Sequence, residues 1–500
     1  MRRKRLKLNT LSSIFFQITT IICGFILPRL ILGRYGSAVN GLVNSINQFL
    51  QFIAFLELGV GAVVQSSLYK PLAEEDTVEI SRIVKSAGKF FQKIAFALFF
   101  YVLILIAVFP LISDSEFDHF FSGTLIAAMS ISFFAQYYFG VVDRLLLSSD
   151  QRGYIHYTAQ AITLILNTVA SAILIKMDMS IQVVKLTTSL IYLIRPMVLR
   201  IYVNQNYTIN RKIVFSGEPI KQKWNGIAQH IAAIVLDGTD IIVLTLLSSF
   251  SNVSIYSVYY LVVNGVKQLF ISMTNGIQAL MGDMWARNEQ EQLNRTFDFI
   301  EWIIHTGAVF VFGCTLVLLL PFVGVYTKGI NDINYLLPLF GLLITIANAS
   351  HCLRLPYNIM ILAVGHYKET QHNYIIAALI NVVSSVLLVK LLGLVGVAIG
   401  TLIAMVYQTI WMAFYCYKKL LIKESMSSFW KQVLVDVVTF ALIIVVAFSK
   451  KFNVVSYFGW FLLAVKVVLL LGTVVLLLNI FFYKNEVERA VKMISNRVTR

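Results

Sequence analysis

Long apolar runs recur along almost the whole chain and are separated by short polar stretches. A membrane-spanning helix needs about 20 consecutive, mostly apolar residues, and these runs are long enough to meet that requirement. The pattern therefore predicts an all-α polytopic membrane protein with fourteen transmembrane helices. The predicted spans are 11–32, 42–67, 90–112, 122–147, 154–176, 181–203, 224–248, 254–281, 298–321, 334–362, 373–390, 394–416, 432–449 and 458–482.

The composition agrees with this pattern. Of the 500 residues, 58% are hydrophobic and only 13% are charged, against about 25% charged residues in typical soluble domains. Lysine and arginine are concentrated at both termini and in the predicted loops of one side, and such loops remain in the cytoplasm. We therefore expect both termini to be cytoplasmic. These loops, which attract anionic lipid headgroups, account for the formal net charge of +16, so we expect no nucleic-acid partner.

Two pairs of similar segments indicate an internal repeat. Residues 166–176 (LNTVASAILIK) resemble 380–390 (INVVSSVLLVK), and residues 43–50 (VNSINQFL) resemble 263–270 (VNGVKQLF). Both pairs are shifted by six predicted spans, which predicts two pseudo-symmetric six-helix lobes in parallel orientation. The predicted organisation is a first lobe at 1–203, a cytoplasmic linker at 204–223, a second lobe at 224–418, and helices 13 and 14 with a cytoplasmic tail at 419–500.

The sequence lacks the common catalytic motifs. It contains no GxSxG, HExxH or Walker pattern, and the predicted outer loops are too short to build a catalytic surface. The four cysteines all fall within predicted spans, so we expect neither a disulfide framework nor a metal site. We therefore expect a transporter rather than an enzyme. Because no ATP site is encoded, transport would be passive or driven by an ion gradient.

Polar residues inside two predicted spans indicate a wet cavity, since intramembrane ionisable groups are expensive and usually functional. Lys267 lies near the middle of the eighth span, in a polar stripe with Asn264 and Gln268. The equivalent stripe in the second span is formed by Asn44, Asn47, Gln48 and Gln51. We expect both stripes to face the cavity, to which Lys267 adds positive charge.

Further charged residues are candidates for the same cavity. Three arginines suit an anionic phosphate group, because the guanidinium fork binds two oxygens at once; they are Arg29, Arg195 and Arg354. The candidates for counter-charge or ion coupling are Glu57, His230, Asp237 and Asp240. Asp237 is level with Lys267 on the preceding helix, so the two form either a static pair or a switch. We expect the other intramembrane charges to lie outside the cavity: Lys93, Asp143, Arg144, Lys185, Glu301, Asp436 and Lys466.

Two segments, together with the number of spans and the repeat, carry a family resemblance. They are FILPRLILGRYGSAVNGLVNSINQFL at 25–50 and LLLSSDQRGYIHYTAQ at 145–160. The chain resembles the Wzx-like polysaccharide flippases of the multidrug/oligosaccharidyl-lipid/polysaccharide exporter superfamily, over essentially its whole length. The resemblance implies transport of an undecaprenyl-pyrophosphate-linked oligosaccharide from the inner to the outer leaflet of a bacterial cytoplasmic membrane. It also implies alternating access, a cationic central cavity, coupling to protons or sodium ions, and a polysaccharide polymerase and glycosyltransferases as partners.

Two alternative functions remain open at this point. A drug/cation antiporter of the related multidrug exporters would need a cavity with net negative charge, and that branch usually has twelve spans. A membrane glycosyltransferase or polymerase would join sugars without moving them between leaflets.

Overall fold

The computed structural model describes residues 2–57, 60–112, 116–211, 213, 227–421, 423, 425–449 and 454–498. In these ranges the regular secondary structure is helical throughout. The chain divides into two compact units. Unit 1 comprises Met1–Ile234 and Ser249–Ser254, and unit 2 comprises Val235–Ser248 and Ile255–Arg500.

Eight α-helices lie wholly within the described part of unit 1. They are α1 (Arg2–Gln51), α2 (Val60–Ala73), α3 (Thr77–Ile112), α4 (His119–Ala135), α5 (Val141–Ser149), α6 (Gly153–Lys176), α7 (Ile181–Tyr192) and α8 (Ile194–Asn206). A 3-10 helix follows α1 at Phe52–Glu57, and a π-helical turn at Gln136–Gly140 joins α4 to α5.

The remaining α-helices lie wholly or mostly in unit 2. They are α9 (Ile227–Leu247), α10 (Phe250–Ala286), α11 (Gln290–Tyr326), α12 (Pro338–Leu353), α13 (Leu355–Ala363), α14 (Tyr367–Leu392), α15 (Leu394–Tyr415), α16 (Ser427–Ser449), α17 (Tyr457–Phe482) and α18 (Lys484–Val498). A second π-helical turn, Cys416–Leu420, ends α15.

The structure supports a multi-pass membrane protein. In the described ranges, eleven helical stretches are long and apolar enough to cross a membrane. The first predicted span and the first part of the second fall in one of them, because α1 continues to Gln51 through a kink at Gly36 where φ is 82°. The seventh and eighth predicted spans correspond to α9 and α10. The total of fourteen therefore stays a prediction.

The second predicted span, 42–67, is not a continuous α-helix. Regular α-helix ends at Gln51, the 3-10 helix follows, and α2 begins at Val60. The apolar pattern could not reveal this interruption, since hydrophobicity is unchanged across this stretch.

Two other predicted spans are each divided at a proline. The break between α7 and α8 precedes Pro196, and the break between α12 and α13 precedes Pro356. Proline has no N–H for the carbonyl four residues earlier, so the hydrogen-bond ladder is interrupted there. These two breaks position Arg195, which immediately precedes Pro196, and Arg354, which lies two residues before Pro356.

Each unit has its own interior. In unit 1, α1 and α3 bury an apolar cluster that includes Leu42, Ile46, Phe91 and Phe109. The turn at 249–254 belongs to this unit, where Phe250 stacks on Phe109 with ring centroids 6.1 Å apart. Large apolar side chains elsewhere remain exposed on the helix surfaces, which is expected of faces in contact with lipid.

The repeated segments carry the same buried polar pair. Asn167 and Ser171 in α6 correspond to Asn381 and Ser385 in α14, and all four side chains are at most 1% exposed. The sequence-based lobe boundaries stay a prediction, but the correspondence shows that both repeats bury polar groups at matching positions.

Two glycines allow α14 and α15 to approach closely. A Cβ at Gly396 would overlap the backbone oxygen of Leu388, and one at Gly400 would lie 2.5 Å from Ser385 Oγ. Small residues four apart are a common device for close helix packing in membranes. We expect Gly396→Ala to reduce the free energy of unfolding by about 1–3 kcal/mol through overpacking. Thermal unfolding of the purified protein in detergent measures this effect.

A matched control for that variant is available in unit 2. Gly265 also lies within a helix, but nothing lies within 4 Å of the position that its Cβ would take. Gly265→Ala should therefore leave the unfolding temperature unchanged or raise it slightly, because alanine has the higher helix propensity. Equal destabilisation by the two variants would contradict the proposed tight packing at Gly396.

Candidate functional site

Unit 1 encloses a cavity of about 300 Å³ with a cationic lining. Three basic side chains contribute to it: Arg144, Lys185 and Arg195. No aspartate or glutamate is among the described residues that line it. The uncharged polar side chains at its wall are Asn47, Ser132, Gln136, Gln160, Asn167, Thr188, Ser189 and Tyr192. The cavity therefore offers positive charge together with many neutral hydrogen-bonding groups.

Arg195 is held in place by its own neighbours. Its Nε donates a hydrogen bond of 2.7 Å to Thr163 Oγ1, and its guanidinium carbon lies 3.7 Å from the ring centroid of Tyr192. Tyr192 is fixed in turn, because its hydroxyl accepts a hydrogen bond from Asn167 at 3.2 Å. A guanidinium stacked on an aromatic ring keeps its outer N–H groups available for a ligand.

Another part of the lining comes from the π-helical turn at 136–140. Such turns are frequent at functional sites because they shift the register of the helix. Gly140 faces Pro196, and a Cβ there would lie 3.2 Å from the Cβ of Pro196. The turn and the break before Pro196 therefore meet, and together they shape the wall on which Gln136, Arg144 and Arg195 lie.

A carboxylate lies close in sequence but does not neutralise the cavity. Asp143 is fully buried and pairs with Arg200 at 2.7 Å and with Arg211 at 3.4 Å. His156 also lines the cavity, and its Nδ1 finds no hydrogen-bond partner among the residues described. The Lys185 ammonium likewise makes no hydrogen bond or ion pair with the described part of the chain. The cavity thus has donor groups that an anionic ligand would satisfy.

Unit 2 contains a second polar cluster around Asp240. The carboxylate accepts hydrogen bonds from Tyr256 Oη at 2.9 Å and from Thr401 Oγ1 at 2.8 Å. Thr401 Oγ1 accepts a hydrogen bond from Asn381 Nδ2 at 3.0 Å. Within the described residues, Asn381 Oδ1 and Ser385 Oγ have no partner, although both are buried. These side chains bring together oxygen atoms, which are the ligands preferred by hard cations.

Lys267 lines the same small cavity as Asp240. The cavity has a volume of about 20 Å³, and its wall also includes Asn348 and His351. This is enough for roughly one water molecule, and so for one desolvated ion. Lys267 is 3% exposed, and its Nζ lies 3.4 Å from Tyr260 Oη. Oxygen ligands for a cation are therefore found in unit 2, whereas the clustered basic groups of the larger cavity are found in unit 1.

The other sequence-predicted residues lie as follows. Arg354 is buried at the break between α12 and α13, where it donates to the Gln408 side chain and lies 3.4 Å from His351 Nδ1. Arg29 is half-buried beside Gly33 and is not among the lining residues of either cavity. Gln48 is half-buried and Gln51 is exposed.

Asn47 is the member of its polar stripe that lines a cavity. Asn44 donates instead to the backbone oxygen of Asn40 in its own helix, at 2.8 Å. In the other stripe, Gln268 Nε2 lies 3.5 Å from Asn264 Oδ1. Three further candidates, Glu57, His230 and Asp237, have helical backbones, but their side chains lie outside the described part of the structure. The pairing predicted between Asp237 and Lys267 therefore stays a prediction.

The sequence interpretation missed two cationic lining residues. Arg144 and Lys185 were expected to lie outside the cavity, because both are near the ends of predicted spans; both line it instead. A helical stripe would have identified them, since Lys185, Thr188, Tyr192 and Arg195 fall on one face at intervals of three and four residues. Gln136, Gly140 and Arg144 are likewise spaced by four.

Comparisons with known proteins identify the fold. No protein-family model and no curated protein matches the sequence. Among solved structures, the lipid II flippase MurJ in an inward closed conformation is 13% identical and covers 96% of this chain and 99% of its own, with a TM-score of 0.72. The Vibrio cholerae MATE transporter VcmN in the bent form is 12% identical and covers 84% of this chain and 98% of its own, with a TM-score of 0.56.

A third structure agrees with these two. An inward-facing multidrug resistance MATE family transporter of the MOP superfamily is 15% identical, covers 84% of this chain and 99% of its own, and has a TM-score of 0.57. The chain therefore has the fold that MurJ and these MATE transporters share. At these identities the likeness establishes the fold, and the substrate has to be argued from the chain's own residues.

Proposed function

We propose that this chain is a flippase for an undecaprenyl-pyrophosphate-linked oligosaccharide in a bacterial cytoplasmic membrane. The observation that carries the proposal is the cavity of unit 1, where Arg144, Lys185 and Arg195 meet without a lining carboxylate among the described residues. A pyrophosphate is the part of such a lipid that needs this environment, because it carries negative charge into a site of low dielectric constant.

The size and lining of the cavity fit a headgroup rather than a whole oligosaccharide. About 300 Å³ is at the lower end of ligand pockets, which is sufficient for a pyrophosphate and part of the first sugar. The amide groups of Asn47, Gln136 and Gln160 line the same cavity and can hydrogen-bond to sugar hydroxyls. The lipid tail would stay in the bilayer.

The drug/cation antiporter is the alternative to be weighed, since MATE transporters share the fold. A cationic drug would be repelled by three basic side chains, and the described lining holds no acid to attract it. The extent of the structural matches also favours the flippase. The match to MurJ covers 96% of this chain, whereas the matches to the two MATE structures cover 84% each. Both observations support an anionic lipid-linked substrate.

In this proposal, the repeated lobes at 1–203 and 224–418 alternate access across the membrane, with both termini in the cytoplasm. No covalent step is involved. The Asp240 cluster couples transport to a cation gradient, with Asp240, Thr401, Asn381 and Ser385 supplying the oxygen atoms. Their oxygen atoms are ligands of the kind that a sodium ion prefers, whereas a proton would need only the Asp240 carboxylate.

Reconstitution tests the proposal directly. Purified protein in liposomes should move a fluorescent undecaprenyl-pyrophosphate oligosaccharide between leaflets, as measured by quenching with a membrane-impermeant reagent. A neutral polyprenyl glycoside with the same sugars is the matched substrate, and we expect it to move at least tenfold more slowly because it lacks the pyrophosphate. Equal movement of both lipids, or formation of longer saccharides without a change of leaflet, would refute the proposal.

A further inference from the structure

A third buried polar cluster lies in unit 2, apart from the Asp240 cluster. Three titratable side chains form it: Glu301 and His305 on α11, and Asp436 on α16. They are 4%, 1% and 7% exposed. Glu301 and Asp436 were expected from the sequence to have no part in the cavity, and neither lines one of the two cavities described above. Buried ionisable groups in a membrane protein require an explanation of their own.

Hydrogen bonds connect these groups into one continuous chain. Asp436 Oδ2 lies 2.6 Å from His305 Nδ1, and His305 Nε2 lies 3.3 Å from Tyr357 Oη. Tyr357 donates to Glu301 Oε1 at 2.6 Å, and Tyr417 donates to Glu301 Oε2 at 2.8 Å.

The chain reaches the surface at its far end. The Tyr417 hydroxyl lies 3.0 Å from Ser428 Oγ, and Ser428 is exposed. An unbroken series of exchangeable protons therefore runs from Ser428 to the fully buried imidazole. Such a series allows a proton to reach a site that water does not reach, because each group passes on its own proton as it accepts the next.

The Tyr357 hydroxyl lies within hydrogen-bonding distance of two groups and can switch its proton between them. It has a single proton, so it can donate to Glu301 or to His305 Nε2, but not to both. While it donates to Glu301, Nε2 must carry a proton to make the second contact. With Nδ1 also donating a proton to the Asp436 carboxylate, the imidazole is then a cation between two carboxylates. When the imidazole loses that proton, Nε2 becomes an acceptor, and the Tyr357 hydroxyl turns toward it.

We propose that the chain Ser428–Tyr417–Glu301–Tyr357–His305–Asp436 is a proton-binding site with its own route to the surface. One proton enters from bulk water at Ser428 and is bound at His305, and the same proton returns to bulk water when the site empties. No other reactant is needed. This site is separate from the flippase cavity in unit 1 and does not depend on the identity of the transported lipid.

The surrounding charges agree with a site that binds one positive charge. With both carboxylates ionised and the imidazole protonated, the three groups carry a net charge of −1. On the neighbouring segment, Lys423 pairs with Asp298 and lies 4.6 Å from the Tyr417 ring. On α16, Gln432 donates to Asp436 Oδ1 at 3.0 Å.

The last groups that face the cluster lie where α17 ends. The Tyr483 hydroxyl is buried and finds no partner in the described ranges, and the Lys431 ammonium lies 4.4 Å from the Tyr483 ring. The Cys416 thiol is also buried beside Tyr357, to whose backbone oxygen it donates. The nearest lysines contact aromatic rings and Asp298, and none of them forms an ion pair with Glu301 or Asp436 in the described ranges, although the Lys423 charge is felt at Glu301.

The site also joins α16 to the rest of unit 2. In the protonated state the contact between His305 and Asp436 is an ion pair. In the deprotonated state it is a hydrogen bond from a neutral imidazole to the carboxylate, which is weaker. Acidic pH should therefore hold α16 more firmly against α11. The consequence can be measured by hydrogen exchange, because the protection factors of the α16 amides, which compare the observed rate with the intrinsic rate at each pH, should be higher at acidic than at alkaline pH.

Proton uptake by the purified protein tests the proposal without any lipid substrate. A pH jump in weakly buffered detergent solution, followed by a soluble indicator dye, gives both the number of protons bound and the rate. We expect His305→Gln to bind one proton fewer than the wild-type protein. We expect Tyr417→Phe to bind the wild-type number at least tenfold more slowly, because the route from Ser428 is cut.

Tyr374→Phe is the matched control. Tyr374 is also a buried tyrosine of unit 2, but its hydroxyl donates to Asn358, outside the chain of groups. It should leave both the number and the rate unchanged. Unchanged proton uptake in His305→Gln would overturn the binding site, and an unchanged rate in Tyr417→Phe would overturn the route. If His305→Gln fails to fold, Asp436→Asn provides a second test, since it should abolish the pH dependence of the protection factors in α16.

Discussion

Replacing Arg195 with glutamine is expected to lower the rate of lipid flipping by about ten- to a hundredfold. A hydrogen bond to a charged group contributes about 1.5–3 kcal/mol, and each 1.4 kcal/mol corresponds to a factor of ten. The loss should be large because Arg195 is already oriented by Thr163 and Tyr192, so the bound anion does not have to order it. The leaflet-access assay with the pyrophosphate-linked lipid measures the rate.

Three further variants make that result specific. Arg195→Lys keeps the charge but loses the two-pronged contact and the stacking on Tyr192, so its rate should fall between those of the wild type and Arg195→Gln. Lys185→Gln should also slow flipping, because Lys185 lines the same cavity. Arg82→Gln is the control, since Arg82 forms an exposed pair with Glu79 on α3. It should flip lipid at the wild-type rate.

The opposite outcome would identify the antiporter. If Arg195→Gln flips lipid normally, the cationic cavity does not hold the pyrophosphate. If the same variant gains transport of a cationic dye that the wild-type protein excludes, small organic molecules enter the cavity of unit 1. The positive charge of the wild-type cavity is then what excludes cationic molecules. Both measurements use the same liposomes, so the amount of reconstituted protein can be matched between them.

The fold could be predicted from the sequence in outline because hydrophobicity and loop charge are local properties. Runs of apolar residues predicted the multi-pass helical architecture, and the similarity of 166–176 to 380–390 predicted a repeat whose buried Asn and Ser recur in the structure. The points at which helices kink or break were harder to predict from the sequence. The kink at Gly36 and the 3-10 turn after Gln51 depend on backbone conformation, which an apolar pattern does not encode.

The candidate site was harder to predict because it is assembled from distant helices. Asp240 stands out in the sequence as a carboxylate inside a span, whereas its partner Thr401 is 161 residues further along the chain and looks like any small polar residue. Lys185 was predicted to lie outside the cavity because its position near the end of a span indicated exposure. The decisive property was the helix face, on which Lys185 and Arg195 coincide.

The second large effect concerns the coupling cation. Asp240→Asn is expected to abolish the dependence of flipping on a cation gradient while leaving slow, gradient-independent flipping. The variant keeps the shape of the side chain and its contacts with Tyr256 and Thr401, but it removes the negative charge from a cavity that Lys267 also lines. A cation would then be repelled rather than bound. Flipping rates with imposed sodium or proton gradients, compared with no gradient, measure the effect.

Variants of Thr401 decide which cation is bound. Thr401→Ser keeps the hydroxyl that contacts Asp240, whereas Thr401→Val removes it at almost the same volume. A sodium ion needs several oxygen ligands, so Thr401→Val should abolish sodium dependence and Thr401→Ser should retain it. A proton needs only the carboxylate, and in that case both variants should keep a pH-dependent rate. Full gradient dependence in Asp240→Asn would exclude this cluster from coupling, and the driving cation would then have to bind elsewhere, with the proton site at His305 as the first place to examine.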